Sequence, residues 1–222
     1  VLQHDLSKPV AMSLDDLIRW LDRNPGPKII TDIKSDNLAG LAILKAAAQA
    51  DYPAEIVAVI SNKPDATGLQ LAQEAGIHTE VVPSKGVTDR EIYDQSLRAA
   101  IDRHNPDLVI LAGFMRILTP GFVAHYADRM INIHPSLLPA FTGLHTHQRA
   151  LDAGVHIHGC TVHFVTAELD HGPMIVQAAV PVYADDDASQ LAAHGHERAR
   201  VQRPDRAQVR CDQTMRDPRV AL

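Results

Sequence analysis

The sequence predicts an α/β fold, a doubly wound, mostly parallel, Rossmann-like sheet with an antiparallel edge. Three observations predict it. From Glu55 onward, predicted strands and helices alternate, which is the pattern of βαβ units. The run Leu108 to Phe114, L-V-I-L-A-G-F, is apolar without alternation, as a central strand must be when both faces are covered. The 222 residues suit one domain, large enough to wrap a sheet in two layers of helix.

Taken in order, Ser13-Leu14-Asp15-Asp16 opens a helix with a serine cap and an acid three residues on, and Asn24-Pro25-Gly26-Pro27 ends it. Lys28 to Ile33 reads as a buried strand, followed by a turn at Lys34-Ser35-Asp36 and a helix from Asn37 through Ala50. Strand Glu55 to Ser61, helix Ala66 to Ala75 and the short strand Thr79 to Pro83 continue the alternation. Asp89 caps a long helix to His104. After the central strand, Thr119-Pro120 starts another helix, with threonine as cap and proline in the first turn. Met130 to Ile133 is a short buried strand, and Thr146 to Ala153 a helix. Gly159 to Thr166 and Met174 to Val182 read as two more strands that close the sheet as its antiparallel edge.

A last helix begins at Ser189-Gln190-Leu191, but from His194 the apolar period is lost and arginines crowd together. The expected organisation is therefore an atypical helix and linker over 1-27, the α/β domain over 28-191, and an arginine-rich tail over 192-222 without stable structure.

Composition narrows the function classes. Hydrophobic content of 45% and charged content of 22% are ordinary for a soluble protein, and no apolar run is long enough to span a bilayer. A net charge of −6 argues against a polyanion-binding surface, so neither nucleic acid nor membrane is an expected partner, while a local pocket for one phosphate stays open. Cys160 and Cys211 lack metal-type spacing and no signal peptide is read, which points to the cytoplasm. Of the thirteen histidines, His156 and His158 share a strand face that His163 does not, so no metal site is expected from them.

The chemistry concentrates in M-I-N-I-H-P-S-L-L-P, residues 130 to 139. Asn132 and His134 lie two apart on a strand and leave it on the same side. Pro135 stops the ladder immediately afterwards. Most single Asn or His residues at strand ends are turn or core groups. Here they have company in T-V-H-F-V-T-A-E-L-D-H-G-P, which ends on Asp170 before a Gly-Pro turn. An amide that serves as oxyanion donor, a proton donor and a carboxylate that raises the histidine pKa make a polar constellation on neighbouring loops. His163 is placed beside it as a support for Asp170.

N-I-H-P-S-L-L-P, together with G-L-H-T-H, H-F-V-T-x-E-L-D-x-G-P and A-G-F-M-R-I-L, resembles the phosphoribosylglycinamide formyltransferase family of the folate-dependent purine pathway, over about Glu55 to Tyr183. The resemblance implies transfer of a formyl group from 10-formyltetrahydrofolate, as cosubstrate, to the amine of glycinamide ribonucleotide, by a monomer or homodimer that needs no metal. It implies Asn132, His134 and Asp170 as catalytic residues. For the folate it implies Arg90, the segment Met115, Arg116, Ile117 and Leu118, Asn132, and the run Thr166, Ala167, Glu168, Leu169 and Asp170. For the ribonucleotide it implies Ser35, Asp36 and Asn37.

The chain departs from the family at both ends. Where relatives carry a glycine-rich loop of the form S-G-x-G-S-N-L, it reads D-I-K-S-D-N-L, so a phosphate meets two aspartates and a stiffer backbone, offset by Lys34 and the helix N-terminus. Residues 10-44 instead resemble a segment of a glycerophosphodiester phosphodiesterase, without a His-Arg catalytic pair. A Gln-Glu-His helix of the family is absent near the C-terminus. These departures keep two rivals open: a sister reaction such as formyltetrahydrofolate deformylation, and a folate-binding pseudoenzyme.

Overall fold

The computed structural model describes residues 28–33, 43–44 and 54–197. The expected helix at 13–24, the turn at 34–36 and the tail after 197 lie outside the described residues. Seven strands form one sheet: β1 Lys28–Ile33, β2 Glu55–Ser61, β3 Thr79–Val81, β4 Leu108–Ala112, β5 Met130–His134, β6 Ile157–Phe164 and β7 Met174–Pro181. Five described helices accompany it: α1 Thr67–Glu74, α2 Arg90–Asp102, α3 Pro120–His125, α4 Thr146–Asp152 and α5 Ala188–Glu197.

The strand order is β3-β2-β1-β4-β5-β6-β7. The first five strands run parallel, β6 is antiparallel to β5, and β7 antiparallel to β6. The chain thus steps outward from β1 to β3, returns to β4 and steps outward the other way. Strand order reverses between β1 and β4, whose ends Ile33 and Ala112 pair. Open α/β sheets bind ligands at such a switch point.

Alternation along the strands builds two cores. Leu108, Ile110 and Ile131 pack on one face with Leu69 and Ala72 of α1 and with the helical residues Ile43 and Leu44. Val109, Leu111 and Met130 pack on the other with Tyr93, Leu97 and Ile101 of α2, Phe122 of α3 and Tyr126 immediately after it. Every residue of β4 is buried, as a strand covered on both faces must be.

The predicted caps are present. Asp89 accepts from the Glu91 N–H at 2.9 Å, and Thr119 accepts from Phe122 N–H at 3.3 Å. The Thr119 N–H itself donates to the buried Asp94 carboxylate at 2.7 Å, tying α2 to α3.

Helix α5 continues through Glu197, past the point where its apolar period fails. Its start explains this: Asp187 accepts from the N–H groups of Ser189 and Gln190, both at 2.8 Å, and Leu191 is buried with Val180 of β7. One firm anchor and a good cap carry the helix beyond its sequence pattern. No helix among the described residues is long and apolar enough to cross a membrane.

Candidate functional site

Strand β5 presents Asn132 and His134, and the neighbouring β6 places His163 directly opposite Asn132. The loop 165–173 leaves β6 beside the start of β5, with the Val165 N–H donating to Met130 O at 2.9 Å, and then turns back. It returns Asp170 to His134, whose Nδ1 lies 3.5 Å from Asp170 Oδ1. Both side chains are 5% exposed.

Two backbone features hold that return. Asp170 adopts a left-handed conformation, φ 56°, which a short polar side chain tolerates. Gly172 passes so close to β6 that an added Cβ would lie 1.7 Å from the Phe164 carbonyl oxygen.

The hydrogen bonds fix the tautomer of His163. Its Nδ1 lies 2.9 Å from Phe164 O, which only accepts, so Nδ1 carries the proton. Nε2 is then an acceptor, and it takes a hydrogen from the Asn132 amide at 3.2 Å. Burial holds His163 below the ordinary histidine pKa, consistent with a neutral ring. The sequence reading made His163 a support for Asp170. Its bonded partner is Asn132, and Asp170 Oδ1 is 3.8 Å from it. His163 therefore orients the amide and leaves one of its two hydrogens for another acceptor.

The segment after β5 closes over this group. His134 Nε2 donates to Phe141 O at 3.1 Å, and Gly143 N–H donates to Asp170 Oδ2 at 2.8 Å. The approach to this segment is pinned to the antiparallel strands. Thr161 Oγ1 donates to Ser136 O at 2.7 Å and accepts from Leu138 N–H at 3.0 Å, while the Gln177 amide donates to Leu138 O at 2.9 Å. Behind it, the buried His158 donates to Pro135 O at 3.1 Å and lies edge-on to the His147 and Phe141 rings. Burial and the neighbouring His147 push His158 down to about 4. Thr161, Gln177 and His158 are contributions that the sequence reading missed, since each depends on which loop packs against which strand.

The residues expected to hold folate divide in two. Arg116 is half-buried with its guanidinium 4.3 Å from the centre of the Tyr93 ring, and Leu118 is half-buried beside it. Met115, Ile117 and Leu169 are large apolar side chains left more than half exposed. Arg90, Thr166, Ala167 and Glu168 are exposed as well. Ser35, Asp36 and Asn37 lie outside the described residues.

A second feature opens at the carboxyl ends of β2 and β3. A groove of about 470 Å³ is lined by Asn62, Lys63, Pro64, Val81, Pro83, Ser84 and Lys85. Asn62 donates to Ser84 Oγ at 2.7 Å, and its buried Oδ1 has no hydrogen-bond partner. Two lysines beside the groove suit an anionic group, while the Asn62 oxygen, an acceptor, suits a hydrogen-bond donor such as a hydroxyl. The pair is invisible in sequence because parallel pairing of β2 and β3 brings the two turns together.

Comparison with known proteins points one way. A family profile described as formyl transferase matches residues 28–204, so the D-I-K strand that resembled another family lies within it. Phosphoribosylglycinamide formyltransferase of Escherichia coli K12 is 52% identical over 152 residues, covering 68% of this chain and 72% of that protein. Among solved structures, glycinamide ribonucleotide transformylase 1 from Symbiobacterium toebii superposes with a TM-score of 0.73 at 38% identity, over 78% of this chain and 82% of that one. Formyltetrahydrofolate deformylase from Burkholderia mallei gives a TM-score of 0.66 at 33% identity, over 77% of this chain and 60% of that one.

Proposed function

The chain belongs to the formyl transferase family, and from that membership we propose that it carries the formyl group of 10-formyltetrahydrofolate to the amine of glycinamide ribonucleotide in purine biosynthesis. The observation that carries the reading is the pairing of the buried His134 and Asp170 beside the half-buried Asn132, with His163 orienting the amide. Transfer begins when the neutral amine attacks the formyl carbon and the carbonyl oxygen becomes an oxyanion. The remaining Asn132 amide hydrogen and a His134 N–H are its donors. Asp170 accepts the proton that the amine loses, directly or through water, and faces His134 Nδ1. The oxyanion then collapses, the bond from the formyl carbon to the folate N10 breaks, and that nitrogen leaves with the proton as tetrahydrofolate.

In this arrangement both ring nitrogens of His134 are engaged, one by Phe141 O and one by Asp170. Binding of substrates therefore exchanges the Phe141 contact for a contact with the reacting oxygen. Met115, Ile117 and Leu169 supply exposed apolar surface for the pterin and aryl part of folate, and Arg90 and Arg116 are its cationic partners. Lys63 and Lys85 take the ribonucleotide phosphate together with Ser35, Asp36 and Asn37, which restores part of the attraction that the missing glycines remove. The reading implies a cytoplasmic enzyme whose substrates are small molecules and which engages neither nucleic acid nor membrane.

The test is product identity. The protein is supplied with 10-formyltetrahydrofolate in the presence and absence of glycinamide ribonucleotide, and formylated ribonucleotide and tetrahydrofolate are both quantified. Formylated ribonucleotide in step with tetrahydrofolate is the expected result. Tetrahydrofolate released equally without the ribonucleotide would instead make the protein a deformylase, and no turnover with folate still bound would make it a binding protein.

A further inference from the structure

At the other end of the sheet, three potential ligands meet on two elements. His78 and Glu80 lie two apart across the start of β3, so their side chains leave the strand on the same side. His104 follows the C-terminus of α2. One ligand atom from each residue lies within 4.8 Å of the others, and this is the one such group of His, Cys, Asp or Glu among the described residues. The zinc–ligand distances of a tetrahedral site put neighbouring donor atoms about 3.4 Å apart, so a small side-chain rotation closes the set.

Three details favour an ion over a chance cluster. His104 Nε2 is buried and has no hydrogen-bond partner, and Glu80 Oε2 at 3.9 Å is too distant to supply one. A nitrogen buried in that way is costly unless a donor or a cation occupies the space in front of it, and the convergence of His78 and Glu80 on the same point suits a cation. Glu80 divides its two oxygens: Oε1 pairs with the Arg103 guanidinium, and Oε2 faces the imidazole. An arginine that fixes a ligating carboxylate is the outer-shell support metal sites require. The His78 and His104 rings stand 4.7 Å apart and tilted at 44°, as rings converging on one point do, and the His78 carbonyl is anchored by Val59 N–H at 2.8 Å.

We propose that His78, Glu80 and His104 bind one divalent transition-metal ion of the zinc class, with a fourth position left to water. Two imidazoles, borderline nitrogen ligands, with one carboxylate suit such an ion, and the two nitrogens disfavour magnesium or calcium. The site lies at the amino edge of the parallel strands, opposite the end of β5 that carries His134. Its role is a clip: it ties the short edge strand β3 to the end of α2.

The experiment uses the full chain, purified without a polyhistidine tag and stripped with chelator. Cobalt chloride is titrated and followed by visible absorption, and zinc chloride is titrated by calorimetry. One equivalent in the micromolar range or tighter, the intense d–d bands of low-coordinate cobalt, and a Tm that rises with zinc are expected. His78→Ala and Glu80→Gln, both at accessible positions, should each weaken binding at least tenfold and remove the Tm gain while formyl transfer is unchanged. His134→Ala should leave binding intact. Absence of saturable binding, or binding that survives both His78→Ala and Glu80→Gln, would overturn the proposal.

Discussion

The two halves of the sheet are finished differently. From β4 to β7, each group with a chemical task is held by a second one: Asn132 by His163, Asp170 by Gly143, and the loop after β5 by Thr161 and Gln177. From β1 to β3, the recognisable feature is an open groove with two lysines and an unsatisfied asparagine oxygen, and the sequence that follows β1 reads K-S-D-N-L, without glycine. The contrast teaches where each kind of constraint is needed. The proposed proton and oxyanion chemistry tolerates little displacement, and the buried His134 and Asp170 are each held by two partners while the half-buried Asn132 is held by one. Gripping a phosphate is largely a matter of positive charge and donors, which several arrangements can supply.

The largest effect should come from the bonded half. His134→Ala and Asp170→Asn should each lower kcat by about 100- to 10,000-fold, the usual worth of a positioned acid or base, with folate affinity within a few fold. Retention of most activity by either variant in single-turnover assays would break the proposed proton path. Asparagine is the informative replacement at 170 because it keeps the left-handed backbone available.

The next effect concerns stability of the same half in acid. His158 has a folded pKa of about 4 against an ordinary 6.5, so the unfolded chain binds the proton more readily. Its contribution is complete above 6.5, falls as pH drops from 6.5 toward 4, and is gone below that. The full loss is about 3 kcal/mol, an upper figure. Denaturant unfolding measured across this range should show a shallower pH dependence for His158→Gln than for the parent. Equal slopes would place the acid sensitivity elsewhere.

The smallest effect tests the open half. Lys63→Ala with Lys85→Ala should raise the ribonucleotide KM about tenfold, the worth of one charge-assisted contact, and leave kcat nearly intact. Restoring glycines at 34 to 36 should lower KM by a similar or smaller factor. Steady-state kinetics on both variants would sharpen the comparison, and a fall in kcat with unchanged KM would reverse it.

What sequence could show follows the same division. The buried strand β4, the caps at Asp89 and Thr119, and the shared face of Asn132 and His134 are local patterns, and the structure has all of them. Pairings that depend on register or on loop return were not legible. Placing His163 against Asn132 requires the antiparallel alignment of β5 with β6. The meeting of Asp170 with His134 was expected from the two motifs, but the close pass at Gly172 that returns the loop, a fact about two distant backbones, was not. Helix α5 outlasted its own periodicity because its stability comes from Asp187 and Leu191 at its start.

The positive φ of Asp170 reaches beyond catalysis. A residue in that conformation is filtered twice, first by the backbone and only then by the reaction. In a library of all substitutions at 170 scored for cellular abundance alone, asparagine and glycine should persist, while β-branched residues should be depleted even where the reaction is not needed for growth. Tolerance at this position is set by conformation before any selection for purine synthesis acts, so a substitution that fails there does not by itself report on the carboxylate.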